Sequence, residues 1–272
     1  MGLENVASSP ASLAQMQRLG KNTGRYLGET VDMPAVLEEL QQAALKTGWR
    51  KDCFLRNEEF CVLAYHRPAT ISAKRLYISA GIHGDEPAGP LAVLELVREN
   101  QWPENVEVWL CPCLNPSGFA HNTRENASGL DLNRQYLQPD ALETRAHIAW
   151  LAQQPNFDVS LCLHEDWEAH GFYVYELNLG LEPSFADAII RRVAQDCPID
   201  PSPLIEGREA QGGVIRPSAD PTSRPQWPEA FYLITHKTRR SCTLEAPSDF
   251  PLPIRVSALV AGVRAVLDVL AN

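Results

Sequence analysis

Residues 75–99 read RLYISAGIHGDEPAGPLAVLELVRE, and this stretch decides the fold. Its first six residues form an apolar run of strand length that ends at Gly81. From about Glu86 the spacing changes. Leu91, Leu94 and Val97 fall on one helical face, with Pro87 and Pro90 in the first turn, where proline is tolerated. A buried-type strand followed at once by a helix is the building unit of a helix-covered sheet. The alternation continues outward from there. Segments 106–113, 158–163, 172–177, 231–235 and 241–244 read as strands, and 34–47, 140–153, 183–195 and 256–270 as helices. Residues 52–66 read as a hairpin around Arg56-Asn57-Glu58. The expected architecture is α/β: a mixed, mostly parallel central β-sheet sandwiched by helices, with antiparallel strands at one side.

The composition bounds the function. With 272 residues and 44% hydrophobic content the chain can build a sizeable core, and residues 1–272 are expected to form a single catalytic domain. Against 34 Asp+Glu stand 24 Lys+Arg, a net charge of −10, which argues against general nucleic-acid binding. No apolar run approaches the roughly 20 residues that a bilayer span requires, so no membrane partner is expected. Residues 1–10 carry neither a basic nor an apolar region of a secretory signal. Seven cysteines, an odd count, fit a reducing cytoplasm better than a disulfide framework. Cys111-Pro-Cys113 lacks a second cysteine pair and reads as core strand. Segments 114–139 and 197–229 are the least regular, and loops of that length are commonly functional.

Four patterns carry chemistry. In Gly81-Ile-His83-Gly-Asp-Glu86 an apolar strand is followed by His83, and Glu86 opens the next helix. Nitrogen and oxygen donors at a strand's carboxyl edge suit Zn²⁺. A second apolar strand, VSLCL, ends on His164. Two histidines and one glutamate form a catalytic zinc set that leaves a position open for water. In SCTLEAP a third strand ends on Glu245, a carboxylate placed to collect a proton from water. The loop 115–136 holds Arg124, Asn133 and Arg134, and a planar guanidinium is the natural clamp for a carboxylate or an oxyanion. Glu165 and Asp166 face opposite ways, so at most one of them is expected to orient His164.

Taken in this order, the patterns resemble those of the carboxypeptidase A-like zinc metallopeptidases. That superfamily comprises the funnelins, the murein peptide amidases and the succinylglutamate desuccinylase/aspartoacylase deacylases. The resemblance covers Arg75 to Glu245: GIHGDEPAG for the His-x-x-Glu segment, LNPSGF for the Asn-Pro-Asp-Gly turn with Ser117 in place of Asp, TRENASGLDLNR, LHED and TLEAP. It implies one Zn²⁺ held by His83, Glu86 and His164, with Glu245 as general base. It implies Arg124 as the group that polarises the scissile carbonyl, and Asn133 and Arg134 as the anchor of the substrate's free carboxylate. The peptidase branch also uses a loop tyrosine. Tyr232 is the only tyrosine between 176 and 245, so it is the candidate substrate-binding Tyr, although its apparent strand favours a core role. The implied substrate is a small peptide, murein-type peptides included, or an N-acyl amino acid with a free carboxylate. Only 246–272 follow Glu245 and read as one helix, which leaves little room for a deacylase's β-rich cap and favours a carboxypeptidase. The segment before His83 likewise leaves little room for a pro-domain. A zinc-binding protein without catalysis would have lost Glu245 or Arg124, and both are present. Arg208, Arg216, Arg224 and Lys237 lie where the specificity pocket is expected, so an acidic C-terminal residue is conceivable.

Overall fold

The structure, a computed structural model, describes residues 18–22, 26–71, 73–180, 182–218, 220 and 224–272. Its strands are β1 (Arg50–Arg56), β2 (Cys61–Arg67), β3 (Lys74–Ala80), β4 (Val106–Cys111), β5 (Val159–Asp166), β6 (Tyr173–Asn178), β7 (Leu204–Ile205), β8 (Arg208–Gln211), β9 (Val214–Ile215) and β10 (Arg240–Pro247). They form one mixed sheet in the order β1-β2-β4-β3-β5-β10-β6-β9-β8-β7. The central strands β4, β3, β5 and β10 are parallel, and the β1–β2 hairpin is antiparallel, as the sequence led us to expect. No helix among the described residues is long and apolar enough to cross a membrane.

The helices are α1 (Met33–Lys46), α2 (Ala88–Glu99), α3 (Pro116–His121), α4 (Leu142–Gln153), α5 (Phe185–Val193), α6 (Glu229–His236) and α7 (Leu252–Ala271). Strand alternation assigns them to faces. Leu76, Ile78, Leu161, Leu163, Cys242 and Leu244 point into the larger core with α1, α2, α5 and α7. Tyr77 and Cys162 point the other way, into a core shared with α4 and α6. His164 therefore shares a face with Cys162, and Glu245 shares one with Thr243 and Ser241. Register puts Glu245 beside His164 and Thr243 beside Cys162.

Segment 231–235 is helical rather than extended. A short apolar run cannot by its periodicity alone distinguish strand from helix. Pro228 precedes the first turn, and the N–H groups of Phe231 and Tyr232 bond to its carbonyl. Three short strands, β7 to β9, also occupy part of the irregular 197–229 segment. Two tight turns join them, Glu206-Gly207 and Gly212-Gly213, each with both residues at positive φ. The Gly-Gly pair was the readable sign of the second.

The loop after β3 is fixed by glycine. A Cβ on Gly84 would lie 2.0 Å from the Gly118 carbonyl carbon and 2.4 Å from the Phe119 nitrogen. The backbone of the His83 loop thus packs directly on α3. That helix is itself capped by the Asn115 carboxamide, which accepts from Gly118 N at 2.8 Å. Ser117, where the resembling motif has Asp, bonds the loop instead by accepting from Ala127 N at 3.1 Å.

Beneath the sheet, Glu229 at the start of α6 is 1% exposed. Its carboxyl accepts from Tyr77 Oη and Ser79 Oγ, each at 2.8 Å. Tyr77 Oη also meets His147 Nε2 at 2.9 Å, and Tyr136 Oη meets Nδ1 of the same ring at 2.7 Å. Burial pushes the Glu229 carboxyl up to about 7, and the hydroxyl donors only partly offset it.

Two expectations follow. Gly84→Ala should lower unfolding stability by about 2 kcal/mol or more in urea titration, because backbone rather than a movable side chain opposes the new methyl. For Glu229 the folded value lies above the unfolded one. Its contribution is intact below about pH 4.5, declines as pH rises, and is lost above about pH 7. Across that window wild type should lose on the order of 3 kcal/mol more stability than Glu229→Gln, measured by chemical unfolding at each pH.

Candidate active site

The carboxyl edge of the parallel strands is where the candidate residues meet. His83 lies in the turn after β3, and Glu86 just before α2. His164 lies near the end of β5, which pairs directly with β3. The three are 2%, 6% and 4% exposed, respectively. Glu86 sits between the two rings: Oε1 is 2.5 Å from His83 Nδ1 and Oε2 is 3.0 Å from His164 Nδ1. One ligand atom from each residue can be chosen so that all lie within 4.8 Å of one another. Burial alone would raise the Glu86 carboxyl, yet the two imidazoles hold it well below its ordinary value. Burial opposes the charged form of His83, but the Glu86 and Asp131 carboxylates together outweigh it and raise that ring. For His164 burial wins and lowers it. Buried His₂Glu donors grouped around one point fit a Zn²⁺ ion.

Arg124 and Asp131 flank this group. Arg124 Nε donates to Asp131 Oδ2 at 3.0 Å, and its Nη1 lies 3.8 Å from Glu86 Oε1. Asp131 Oδ1 is 3.4 Å from His83 Nε2 and accepts from Asn133 N at 2.9 Å. Asp131 thus aims Arg124 and backs the His83 ring. Sequence reasoning gave it no role, although it stands in the quoted Asp-Leu-Asn-Arg run. Asn133 Oδ1 accepts from Glu229 N at 2.8 Å, which commits its oxygen and turns its N–H₂ donors toward the cavity. The exposed Arg134 is braced by its bond to the Asn133 carbonyl at 2.9 Å.

Glu245 forms part of the same cavity wall, and no described residue hydrogen-bonds to its carboxyl. Burial, and then the neighbouring Glu86, Glu206 and Asp166 carboxylates, push it well above the ordinary value. The cavity, about 930 Å³, runs from the His83, Glu86 and His164 cluster past Glu245 to Arg134, Arg208 and Arg224. Tyr26 and Leu27 close it on another side, a contribution nothing in the sequence announced.

Other expectations are placed elsewhere. Tyr232 lies on α6 off the cavity wall, with its ring against Tyr136 and His236. Neither Glu165 nor Asp166 bonds to His164. The Glu165 carboxylate accepts from Ala88 N and pairs with the fully buried Arg255, while Asp166 accepts from Tyr173 Oη at 3.0 Å. Arg216 is bound to Glu176 and Asp187, and Lys237 to the Gln154 carbonyl.

Comparison with known proteins finds similarity in this part of the chain and in the fold. Residues 72–175 match the succinylglutamate desuccinylase/aspartoacylase catalytic domain. Carboxypeptidase SOL1 of Arabidopsis thaliana is 33% identical over 122 residues, covering 36% of this chain. That match spans only 24% of the plant protein's length. Among solved structures, a protein of Shewanella amazonensis SB2B provisionally designated a metallopeptidase superposes with a TM-score of 0.77 at 24% identity, over 88% of this chain and 94% of its own. A metallo-carboxypeptidase of Burkholderia cenocepacia gives 0.65 at 19% identity, over 88% and 69%. Over residues 72–175 the chain is thus similar to the succinylglutamate desuccinylase/aspartoacylase catalytic domain, and it shares the overall fold of these solved structures.

Proposed function

We propose that the protein is a zinc-dependent hydrolase of the carboxypeptidase type, which removes the C-terminal residue of short peptides. The observation that supports this reading is convergence on one cavity. The His83, Glu86 and His164 donors, the unpaired Glu245 carboxyl, the Arg124 guanidinium and the Asn133–Arg134 pair all face it. A zinc ion held by His83, Glu86 and His164 would supply Lewis-acid chemistry, acidifying a water and polarising a carbonyl.

The chain's own residues supply the rest. Glu245 takes the proton of the attacking water and hands it to the leaving amine. A carboxyl that burial and neighbouring carboxylates hold well above its ordinary value suits a group that accepts and then returns a proton. Arg124, held at its Nε by Asp131 and with its Nη1 beside His83 and Glu86, keeps its Nη2 donors for the carbonyl oxygen as charge develops there. Asn133 and Arg134 fix the free carboxylate of the leaving residue. The match of residues 72–175 supports a second reading, an N-acyl amino acid deacylase using the same groups.

The zinc-loaded protein is expected to cleave N-blocked dipeptides with free C-termini. Turnover of N-acetyl-aspartate and N-succinyl-glutamate alone would favour the deacylase. Glu245→Gln should keep its zinc by metal analysis while kcat falls by about 10²–10⁴. Zinc at saturating excess should raise Tm by about 5 °C or more, chelation should reverse the gain, and His164→Ala should abolish it, as read by scanning calorimetry.

A further inference from the structure

Glu229 opens α6 and is buried, yet the chemistry set out above gives it no task. One carboxyl oxygen accepts from Tyr77 Oη and the other from Ser79 Oγ, each at 2.8 Å. Its backbone N–H donates to Asn133 Oδ1 at 2.8 Å. The residue thus grips the sheet with its side chain and the substrate anchor with its main chain. Both Glu229 and Asn133 border the cavity. A second tie runs beside the first. Tyr136 N donates to the Trp227 carbonyl at 3.1 Å, and the His147 ring links Tyr136 Oη to Tyr77 Oη at 2.7 and 2.9 Å. Asn133, Glu229, Tyr77, His147 and Tyr136 therefore form a closed circuit that ends in the turn carrying Asn133 and Arg134.

No cation balances the carboxyl inside this circuit. Tyr77 and Ser79 meet it from β3, and the Cys162 and Cys111 thiols face it from β5 and β4. Tyr136 and His147 stand behind Tyr77, and burial pushes the His147 ring down to about 3, so it is neutral. On α6 itself Tyr232 packs against Tyr136. The face of β10 turned this way carries Ser241 and Thr243, with Glu245 farther along. Among the described residues no lysine, arginine or histidine nitrogen lies within 4.0 Å of the carboxyl. A glutamine here would accept the same two hydrogen bonds without any cost of ionisation, so packing alone gives no reason for an acid. An acid at this place differs from an amide in one respect: it becomes negative, one hydrogen bond away from the group that receives the substrate's carboxylate. Little water separates the two, so the charges repel with weak screening.

We propose that Glu229 is a positioning residue whose charge sets the affinity of the Asn133–Arg134 anchor for a carboxylate. The neutral carboxyl holds Asn133 in place and lets the anion in, and the ionised carboxyl opposes it. The assignment rests on the reading above, in which Asn133 and Arg134 receive the free carboxylate of the substrate. Since burial pushes this carboxyl up to about 7, the anchor binds anions best below neutrality and weakens above it.

The test reads binding without turnover. The zinc-loaded protein is titrated calorimetrically with 4-methylpentanoate, a carboxylate that has no scissile bond, and with 4-methylpentanamide as its uncharged counterpart. From about pH 6 to about pH 8.5 the carboxylate's affinity should fall about fivefold or more, and the amide's by less than about twofold. Glu229→Gln should keep the affinity seen at the acidic end throughout the range. Glu229→Ala, which releases Tyr77 and Ser79, should bind the carboxylate about tenfold more weakly at every pH. With N-blocked dipeptides the same changes should appear in KM, while kcat moves by less than about threefold. A pH slope that is lost in Glu229→Gln supports the proposal. A slope of equal size in wild type and Glu229→Gln belongs to another group, and overturns it, as does a flat wild-type profile or unchanged binding in Glu229→Ala. If Glu229→Ala does not fold, Glu229→Gln decides alone. If the slope depends on Glu229 but neither peptides nor N-acyl amino acids are cleaved, the control of the anchor stands and the hydrolase reading falls.

Discussion

The rest of the site depends on the Glu86 carboxylate, which is buried between two imidazoles. A carboxylate this far from water is tolerated only when it is paired and fully hydrogen-bonded. Glu86 meets that condition with His83 on one oxygen and His164 on the other, and the Glu165 N–H reinforces the second. The arrangement requires β3 and β5 to be neighbours, so that a turn and a strand end reach one point, and the sheet order supplies this. The next layer is built on the same logic. Glu165 turns away from the histidines to hold the first N–H of α2 and the buried Arg255, which also reaches the Phe250 carbonyl, Tyr26 and Glu29. The helix that begins beside Glu86, the final helix and the N-terminal segment are thereby tied to the strand that carries His164.

Much of this was legible in the sequence, because apolar strand runs that end on His or Glu can be read without knowing their neighbours. His164 and Glu245 are local events of that kind, His83 and Glu86 follow directly on such a run, and all four line one cavity. What could not be read depended on non-local partners. Segment 231–235 was too short and too uniformly apolar for its period to show, so α6 was read as a strand. Tyr232, a candidate because it is the only tyrosine between 176 and 245, lies on that helix against Tyr136, in keeping with the core role that the sequence favoured. Asp131 was in plain view but has significance only once Arg124 and His83 are known to flank it. The cavity wall formed by Tyr26 and Leu27 arises from a contact between distant parts of the chain, and no local pattern encodes it.

The charge distribution resolves an apparent mismatch. A chain of net charge −10 is an unlikely receiver for anionic substrates, judged on the total alone. The fold brings four arginines to one cavity. Arg216 and Arg240 face acidic partners, while Arg124, Arg134, Arg208 and Arg224 line the cavity. The same wall carries Glu86, Glu206, Glu245 and Asp166, so positive charge gathers locally, where Arg134, Arg208 and Arg224 meet, rather than over the whole cavity.

The central claim is that His83, Glu86 and His164 form a single metal centre facing Glu245. Anomalous scattering from zinc-soaked crystals at the zinc edge tests it most directly. The account predicts one strong peak within bonding distance of all three side chains, with the Glu245 carboxyl across the cavity from it. No peak at that position, or a peak held by other residues while these three remain bonded only to one another, would contradict it.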